Sequence, residues 1–280
     1  MPFGLLKGKR GLIFGALDEQ SIAWKVAEMA HAEGARFVLS NAPVALRMGK
    51  IAALGEQCNA PIIAADATNV DDLKALLEQS VETLGGPLDF VLHSIGMSPN
   101  VRKNRGYTKV NYDWYLKTLD ISALSFHKVM QTAMDMDAIA EHGSVVGLSY
   151  IAAQRTFPSY NDMAEAKATL ESIARSFGYH YGKKKNVRVN TISQSPTVTT
   201  AGSGIEGFDI FFQFAHRMAP LGNAPAEDCA GLCTFLFSDL SRSVTMQNLY
   251  NDGGFSSVGV SEEVMDLVGE AIAARGVEQA

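Results

Sequence analysis

The sequence contains no long apolar run and no excess of positive charge. Its apolar runs stay below the roughly 18 residues of a membrane-spanning helix, and the N-terminal stretch "MPFGLLKGKRGLIF" lacks the apolar core and small-residue cleavage site of a secretory signal. We therefore predict a cytoplasmic protein with no membrane partner. The 24 Lys and Arg residues against 30 Asp and Glu residues give a net charge of −6, which argues against nucleic acid as a partner.

Cysteine is also scarce, with three residues in a chain of 280. Cys229 and Cys233 lie one helical turn apart in "AEDCAGLCTFLF", but no histidine lies near them, and the six histidines show no ligand spacing. A pair of buried thiols explains this pattern better than a metal site does. We therefore expect no bound metal.

The sequence has no Pro- or Ser-rich linker, no internal repeat and no shift in composition, so we expect residues 1–280 to form a single domain. Short apolar or β-branched runs alternate with longer helical patterns, which is typical of repeated βαβ units. Because continuous apolar strands are buried on both faces, the pattern predicts an α/β fold: a doubly wound, Rossmann-type, mostly parallel seven-stranded sheet with helices on both faces. The predicted strands span 11–14, 36–40, 61–66, 88–94, 143–149, 186–193 and 244–254.

The glycine triplet of the usual dinucleotide fingerprint, G-x-G-x-x-G, is missing after the first strand. The turn there reads "FGALDEQSIAW" and keeps one glycine, Gly15. Gly15 and Ala16 are small enough for the backbone to approach a pyrophosphate, and Ser21 can cap the following helix, whose N-terminus favours phosphate. An ordinary strand-to-helix connection would have a similar composition, so this turn alone does not identify a cofactor site.

The next three predicted strands also end in small or polar residues. The second ends in "LSNAPVALR", without the acidic residue that often binds the adenosine ribose. Asp66 and Ala67 end the third strand, where a carboxylate can accept a hydrogen bond from an adenine amino group. The fourth strand ends in "HSIG", and Gly96 there allows close approach of a ribose or phosphate. Because parallel sheets bind ligands beyond the carboxyl ends of their strands, four successive ends of this kind predict a nucleotide site there.

A tyrosine and a lysine seven residues apart give the strongest chemical signal. We predict that Tyr160 and Lys167 lie on one face of a helix with Met163 and Ala164, because seven residues make nearly two turns and a rise of about 10.5 Å. A tyrosine hydroxyl can donate to a developing oxyanion, and a nearby ammonium can bind ribose hydroxyls and lower the pKa of the phenol. Taken as spacing alone, a Tyr-x6-Lys pair is usually coincidental.

Together these motifs resemble those of the NADH-dependent enoyl-acyl-carrier-protein reductases of bacterial fatty-acid synthesis, a branch of the short-chain dehydrogenase/reductase superfamily. The resemblance runs nearly end to end and includes the turn from Gly15 to "SIA", "HSIG" at 93–96, "VRVNTISQSPTVTTAGSGI" at 187–205 and "DGGF" at 252–255. The Tyr-x6-Lys spacing is this family's mark, since the ketone and alcohol enzymes of the superfamily have Tyr-x3-Lys. A longer Gly-x5-Ser-Ile-Ala turn likewise replaces the glycine triplet in this family.

The resemblance implies a role for each matched residue. The implied catalytic residues are Tyr150, Tyr160 and Lys167. The residues implied to bind NADH are Gly15, Ser21, Ile22, Asp66, Ala67, Ser94, Ile95, Gly96, Lys167, Pro196, Thr197 and Thr199. The residues implied to contact the substrate are Tyr150, Tyr160, Met163, Ile205 and Phe208.

The resemblance also implies the reaction and its partners. It implies reduction of the trans-2 double bond of enoyl thioesters with NADH, in the last step of the fatty-acid elongation cycle, by a homotetramer that receives the enoyl chain on acyl carrier protein. The segment at about 199–220 is implied to be a substrate lid, because its glycines give backbone freedom and its phenylalanines an apolar surface. An ordinary core helix would show a similar apolar stripe.

The preference for NADH depends on the end of the second strand. That strand end has neither an acid to repel a 2′-phosphate nor an adjacent basic residue to bind one, since Arg47 lies several positions into the next helix. Ala42 stands where the family often has Gln, close to the adenosine ribose. We therefore base the expectation of NADH on the family resemblance.

Two other functions fit parts of the sequence. A 3-oxoacyl or alcohol dehydrogenase of the same superfamily would share the fold, although the spacing from Tyr160 to Lys167 argues against it. A catalytically silent nucleotide-binding regulator would bind the cofactor without turnover, although both of these residues are intact. Turnover of an enoyl thioester separates the three functions.

Overall fold

The computed structural model describes residues 2–200 and 207–275. Seven strands form one sheet: β1 (Arg10–Phe14), β2 (Arg36–Asn41), β3 (Ile62–Ala64), β4 (Leu88–His93), β5 (Ile139–Ser149), β6 (Arg188–Gln194) and β7 (Asn248–Asn251). All neighbouring strands are parallel, in the order β3-β2-β1-β4-β5-β6-β7. The predicted doubly wound fold is confirmed, and the winding changes direction between β1 and β4, where such sheets bind ligands.

Helices cover both faces of this sheet. In the described residues they are α1 (Ile22–Ala32), α2 (Pro43–Met48), α3 (Ile51–Cys58), α4 (Val70–Leu84), α5 (Pro99–Arg102), α6 (Tyr112–Leu119), α7 (Ser125–Asp135), α8 (Asp162–Lys185), α9 (Phe208–Met218), α10 (Ala226–Phe237) and α11 (Glu262–Arg275). None of these helices combines the length and the apolar character that a membrane span requires.

Two hydrophobic cores lie on opposite faces of the sheet, because successive strand residues point to opposite sides. Leu12 and Val38 pack in the core formed with α4, α7 and α8, whereas Ile13 and Leu39 pack in the core formed with α1, α3 and α10. Cys229 and Cys233 are buried in the second core as free thiols, which confirms their predicted packing role.

Two strands are shorter than the sequence predicted, and the backbone explains why. The apolar run at 244–254 contains only β7, because Met246 has φ 63° and Gly253 has φ 63°, and a residue in the left-handed region cannot continue a strand. The strand predicted at 61–66 ends at Ala64. Beyond it, Asp66 turns the chain by accepting bonds from the backbone N–H and hydroxyl of Thr68.

Candidate active site

A cavity of about 800 Å³ opens at the carboxyl ends of the strands. Its walls come from the segments that follow β1 to β6, including Gly15 after β1, Asp66 after β3 and Ser94 after β4. Tyr150 follows β5 and Ser195 follows β6 on the same wall. The cavity therefore lies at the sheet edge where the sequence predicted a nucleotide site.

Nearly all of the predicted site residues line this cavity. They are Gly15, Ser21, Ile22, Asp66, Ala67, Ser94, Ile95, Gly96, Tyr150, Tyr160, Lys167, Pro196, Thr197, Thr199 and Phe208. Met163 does not line the cavity, because its side chain is buried behind Gly96. The hydroxyl of Ser122 donates a weak hydrogen bond to the sulfur of Met163 at 3.5 Å. Ile205 lies outside the described residues.

The turn after β1 brings two backbone segments into close contact. Gly15 has φ 95°, and a Cβ atom there would lie 2.0 Å from the carbonyl oxygen of Ser94, so only glycine fits. Ser21 precedes α1, but its hydroxyl donates to the carbonyl of Asp18 at 2.6 Å and accepts from the N–H of Leu17 at 3.1 Å. The predicted helix cap is therefore wrong. Ser21 closes the turn, and the first N–H groups of α1 keep no side-chain cap and remain suited to a phosphate.

Lys167 is a buried cation that lines the cavity. Its ammonium donates to the carbonyl of Leu148 at 2.7 Å, which is its only hydrogen bond within residues 2–200 and 207–275. Burial lowers the pKa of Lys167 to about 8, and the carboxylate of Glu171 opposes this shift. Because an ammonium has three donors, Lys167 has further N–H groups to offer to a bound ligand.

Two tyrosines stand together on the same wall. The ring centroids of Tyr150 and Tyr160 are 4.8 Å apart. The hydroxyl of Tyr150 is buried and has no hydrogen-bond partner within the described ranges, whereas Tyr160 is half-buried. Burial raises the pKa of both phenols, so both remain protonated at neutral pH and can only act as donors or neutral acceptors.

Tyr160 does not lie on the helix that carries Lys167, and in this respect the prediction was wrong. Helix α8 begins at Asp162, two residues later. Asn161 interrupts the helical backbone with φ 52° and ψ −138°, and its side chain is fixed because its Nδ2 donates to the carbonyl of Arg105 at 2.6 Å. Both Tyr160 and Lys167 still line the same cavity.

A buried carboxylate that the sequence did not reveal holds this turn in place. Asp162 is fully buried and accepts hydrogen bonds from the hydroxyl of Ser98 at 2.6 Å, Nδ2 of Asn100 at 2.8 Å and the hydroxyl of Thr118 at 2.9 Å. These donors come from α5 and α6 and the segment before them, so Asp162 joins that region to the start of α8. An acid directly after "YN", at a helix N-terminus, was the signal available in the sequence.

The end of the cavity near β2 and β3 contains few charges. Asn41 and Ala42 line it, and Nδ2 of Asn41 donates to the carbonyl of Ala16 at 2.9 Å. Arg47 does not line the cavity, in agreement with its predicted distance from the strand end. Asp66 is the carboxylate that follows β3, as the sequence indicated.

These features fit a dinucleotide with a second ligand beside it. The glycine-lined approach at Gly15, the uncapped start of α1 and the remaining N–H donors of the buried Lys167 suit phosphates and ribose hydroxyls. The unpartnered hydroxyl of Tyr150 is a buried polar atom that a ligand can satisfy. Aromatic rings of Phe157 and Phe211 complete an apolar part of the same cavity.

The sequence profile of the family described as Enoyl-(Acyl carrier protein) reductase matches residues 15–256. The chain belongs to this family. Among curated proteins it is 32% identical over 255 residues to the enoyl-[acyl-carrier-protein] reductase [NADH] 2 of Rhizobium meliloti, covering 90% of this chain and 93% of the relative. It is similarly 32% identical to the NADH-dependent FabI of Aquifex aeolicus over 261 residues, covering 92% of this chain and 94% of the relative.

Solved structures agree with this family assignment. The FabI–NADH complex from Alistipes finegoldii is 63% identical, with a TM-score of 0.91 and coverage of 92% of each chain. The enoyl-acyl carrier protein reductase of Bacillus cereus, solved with NADP+ and indole naphthyridinone, is 28% identical, with a TM-score of 0.85, covering 93% of this chain and all of that one. The fold and the reductase family are thus supported by both close and distant relatives.

Proposed function

We infer that this protein is an NADH-dependent enoyl-acyl-carrier-protein reductase, an oxidoreductase that acts on carbon–carbon bonds. It reduces the trans-2 double bond of enoyl thioesters in the last step of the fatty-acid elongation cycle, as the names of its relatives indicate. The observation that carries the assignment to this cavity is that Tyr150, Tyr160 and Lys167 all line it at the carboxyl edge of the sheet, with the two tyrosine rings in contact. The individual roles below are our proposals.

We assign the cofactor to the part of the cavity between α1 and α8. Gly15 and the N-terminus of α1 would bind the pyrophosphate, Asp66 the adenine amino group, and Lys167 the hydroxyls of the nicotinamide ribose. When bound, NADH supplies a hydride for the β-carbon of the enoyl thioester. The chain itself contributes binding, orientation and charge stabilisation.

Tyr160 is assigned to the thioester oxygen, where negative charge develops as the β-carbon is reduced. Its phenol remains protonated because burial raises its pKa, so it donates a hydrogen bond rather than accepting one there. The hydroxyl of Tyr150, which is buried without a partner in the described part of the chain, would contact the substrate beside it. The α-carbon then needs a proton, which Tyr160 or water can deliver.

The acyl chain is assigned to the aromatic part of the cavity. The ring centroids of Phe157 and Phe211 are 5.3 Å apart, and Phe255 packs against both. Phe208 begins α9 and also lines the cavity, so this helix supplies apolar surface from the predicted lid. The lid role of 199–220 remains a prediction, as does the role of Ile205.

A nicotinamide absorbance assay with a crotonyl thioester tests the proposed function. We expect NADH to be consumed in proportion to the crotonyl thioester, with a saturated thioester as product. Oxidation of a 3-hydroxyacyl thioester, without reduction of the enoyl substrate, would support a dehydrogenase instead. Binding of NADH without turnover of either substrate would indicate a nucleotide-binding regulator.

The low pKa of Lys167 predicts a pH-dependent affinity for NADH. Above about pH 8 the free protein loses the ammonium charge that attracts ribose and pyrophosphate, so the Kd for NADH should rise with pH. Glu171 and His93 also face Lys167, but burial lowers the pKa of His93 to about 3, which leaves it uncharged throughout this range. NADH fluorescence titrations between pH 7 and 10 measure the effect; Lys167→Met should bind weakly and show no such rise.

The lowered pKa of Lys167 also determines how this residue makes the free energy of unfolding depend on pH. The unfolded chain holds the Lys167 proton up to its ordinary pKa of 10.5, whereas the folded chain releases it from about 8. Between these values the unfolded state binds more protons, so Lys167 makes the free energy of unfolding increase with pH. A decrease in NADH affinity above pH 8 therefore cannot be attributed to unfolding caused by this group.

The remaining expectations concern partners and location. The enoyl substrate on acyl carrier protein follows from the family name, whereas direct contact with the carrier is a proposal. The homotetramer, the cytoplasmic location and the single domain remain predictions from the sequence.

A further inference from the structure

Five exposed basic side chains lie in the segment 98–118, which contributes two of them to the cavity lining, and we call this group the basic rim. It consists of Arg102, Lys103, Arg105, Lys109 and Lys117. The segment 98–118 contains these five basic residues and a single acidic one, Asp113, although the whole chain has a net charge of −6. Within residues 2–200 and 207–275, none of the five side chains lies within 4.0 Å of a carboxylate.

The basic rim lies beside the proposed catalytic tyrosine. Arg102 and Lys117 line the cavity themselves. The hydrogen bond from Asn161 to the carbonyl of Arg105 holds the rim next to the residue that follows Tyr160. An anionic group that approaches the rim is therefore directed toward the catalytic end of the cavity.

Helix α9, which also lines the cavity, and the adjoining α11 carry the opposite charge. Phe208 and Phe211 bring α9 to the cavity wall, and α11 packs against α9 through an ion pair between Arg217 and Glu263. The charged residues of these two helices are Asp209, Arg217, Glu262, Glu263, Asp266, Glu270 and Arg275. With five acids against two bases, these two helices repel an anionic partner.

We propose that the basic rim is the docking surface for an acyl carrier domain of acidic surface, whose phosphopantetheine arm brings the enoyl thioester past Arg102 to Tyr160. This docking proposal rests on the proposed function, and it adds the surface that the carrier contacts and the direction from which the carrier approaches. The phosphodiester of the arm and carboxylates of the carrier match five cations that have no carboxylate partner among the described residues, while the acidic α9 and α11 orient the carrier by repulsion. Such long-range attraction acts mainly on the rate of association and weakens with salt.

Charge reversal at two rim positions tests the proposal. In Lys103→Glu/Lys109→Glu, the altered side chains form no hydrogen bond or ion pair among the described residues and do not line the cavity. The readout is the ratio of kcat/KM for a crotonyl group on acyl carrier protein to kcat/KM for the same group on N-acetylcysteamine, which lacks the carrier. We expect this ratio to fall about tenfold at low salt, and the wild-type ratio to fall as salt is added.

Lys183→Glu is the matched control. Lys183 is exposed in the last turn of α8, at the opposite end of that helix from Tyr160, so its reversal should leave the ratio unchanged. An unchanged ratio in the rim variant, an equal loss with both substrates, or a change in oligomeric state by light scattering would each overturn the docking assignment. Failure of the wild-type protein to reduce the N-acetylcysteamine thioester would instead reject the proposed function.

Discussion

Tyr160→Phe should lower kcat/KM for an enoyl thioester by about 10²–10³-fold, which corresponds to roughly 2.7–4 kcal/mol. The substitution removes one hydrogen-bond donor from the thioester oxygen and preserves the ring that packs at 4.8 Å from Tyr150. A water molecule that enters the half-buried position would reduce the loss. NADH affinity should stay close to the wild-type value, because the hydroxyl acts on the substrate.

Lys167→Ala provides the contrasting result, since its proposed bonds are to the cofactor in the ground state. We expect the Kd for NADH to rise about tenfold to a hundredfold, together with a loss of turnover. The measurements are NADH titration and steady-state rates for both variants. Normal NADH affinity in Lys167→Ala, or unchanged kcat/KM in Tyr160→Phe, would remove that residue from its assigned role.

Asp162→Ala should destabilise the protein by about 2–4 kcal/mol. The substitution leaves two buried donors without an acceptor, the hydroxyl of Ser98 and one N–H of Asn100, and each such group costs about 1–3 kcal/mol. The hydroxyl of Thr118 can still donate to the carbonyl of Trp114 at 2.9 Å. Relief from burying the carboxylate, and water in the space left behind, offset part of that cost. Urea unfolding followed by circular dichroism measures the change.

Asp113→Ala is the control for this prediction. Asp113 is an exposed acid on α6, and its loss should change the free energy of unfolding by no more than about 0.5 kcal/mol. If Asp162→Ala were as stable as Asp113→Ala, the buried network would not hold the start of α8. The position of Tyr160 would then have to depend on Asn161 and its bond to Arg105.

The sheet was predictable because strands that are buried on both faces consist of short runs of apolar residues, which are visible in the sequence. All seven strands were predicted from short apolar or β-branched runs, and their parallel arrangement brought the predicted residues at 15, 66, 96 and 150 to one cavity. Their convergence is a property of the fold, because all parallel strands end at the same edge. A set of strand ends therefore predicts a site better than any single motif does.

The local details could not be obtained in the same way. Periodicity placed Tyr160 on a helix, but the backbone of Asn161 departs from helical angles because its side chain bonds to Arg105, 56 residues away. The partners of Asp162 are likewise between 44 and 64 residues distant. Ser21 could be recognised as a polar residue before a helix. Whether its hydroxyl bonds to the turn residues Leu17 and Asp18 or caps the N–H groups of the helix depends on exact geometry. The contacts of Asn161 and Asp162 are tertiary, and spacing along the chain does not encode them.

The bond from Lys167 to the carbonyl of Leu148 has a thermodynamic consequence for ligand binding. A free lysine side chain samples many rotamers, and confining it costs up to about 2 kcal/mol of conformational entropy. Here β5 imposes that confinement when the chain folds. The ammonium is thus preorganised before any cofactor arrives, and the binding free energy need not include the ordering of this side chain.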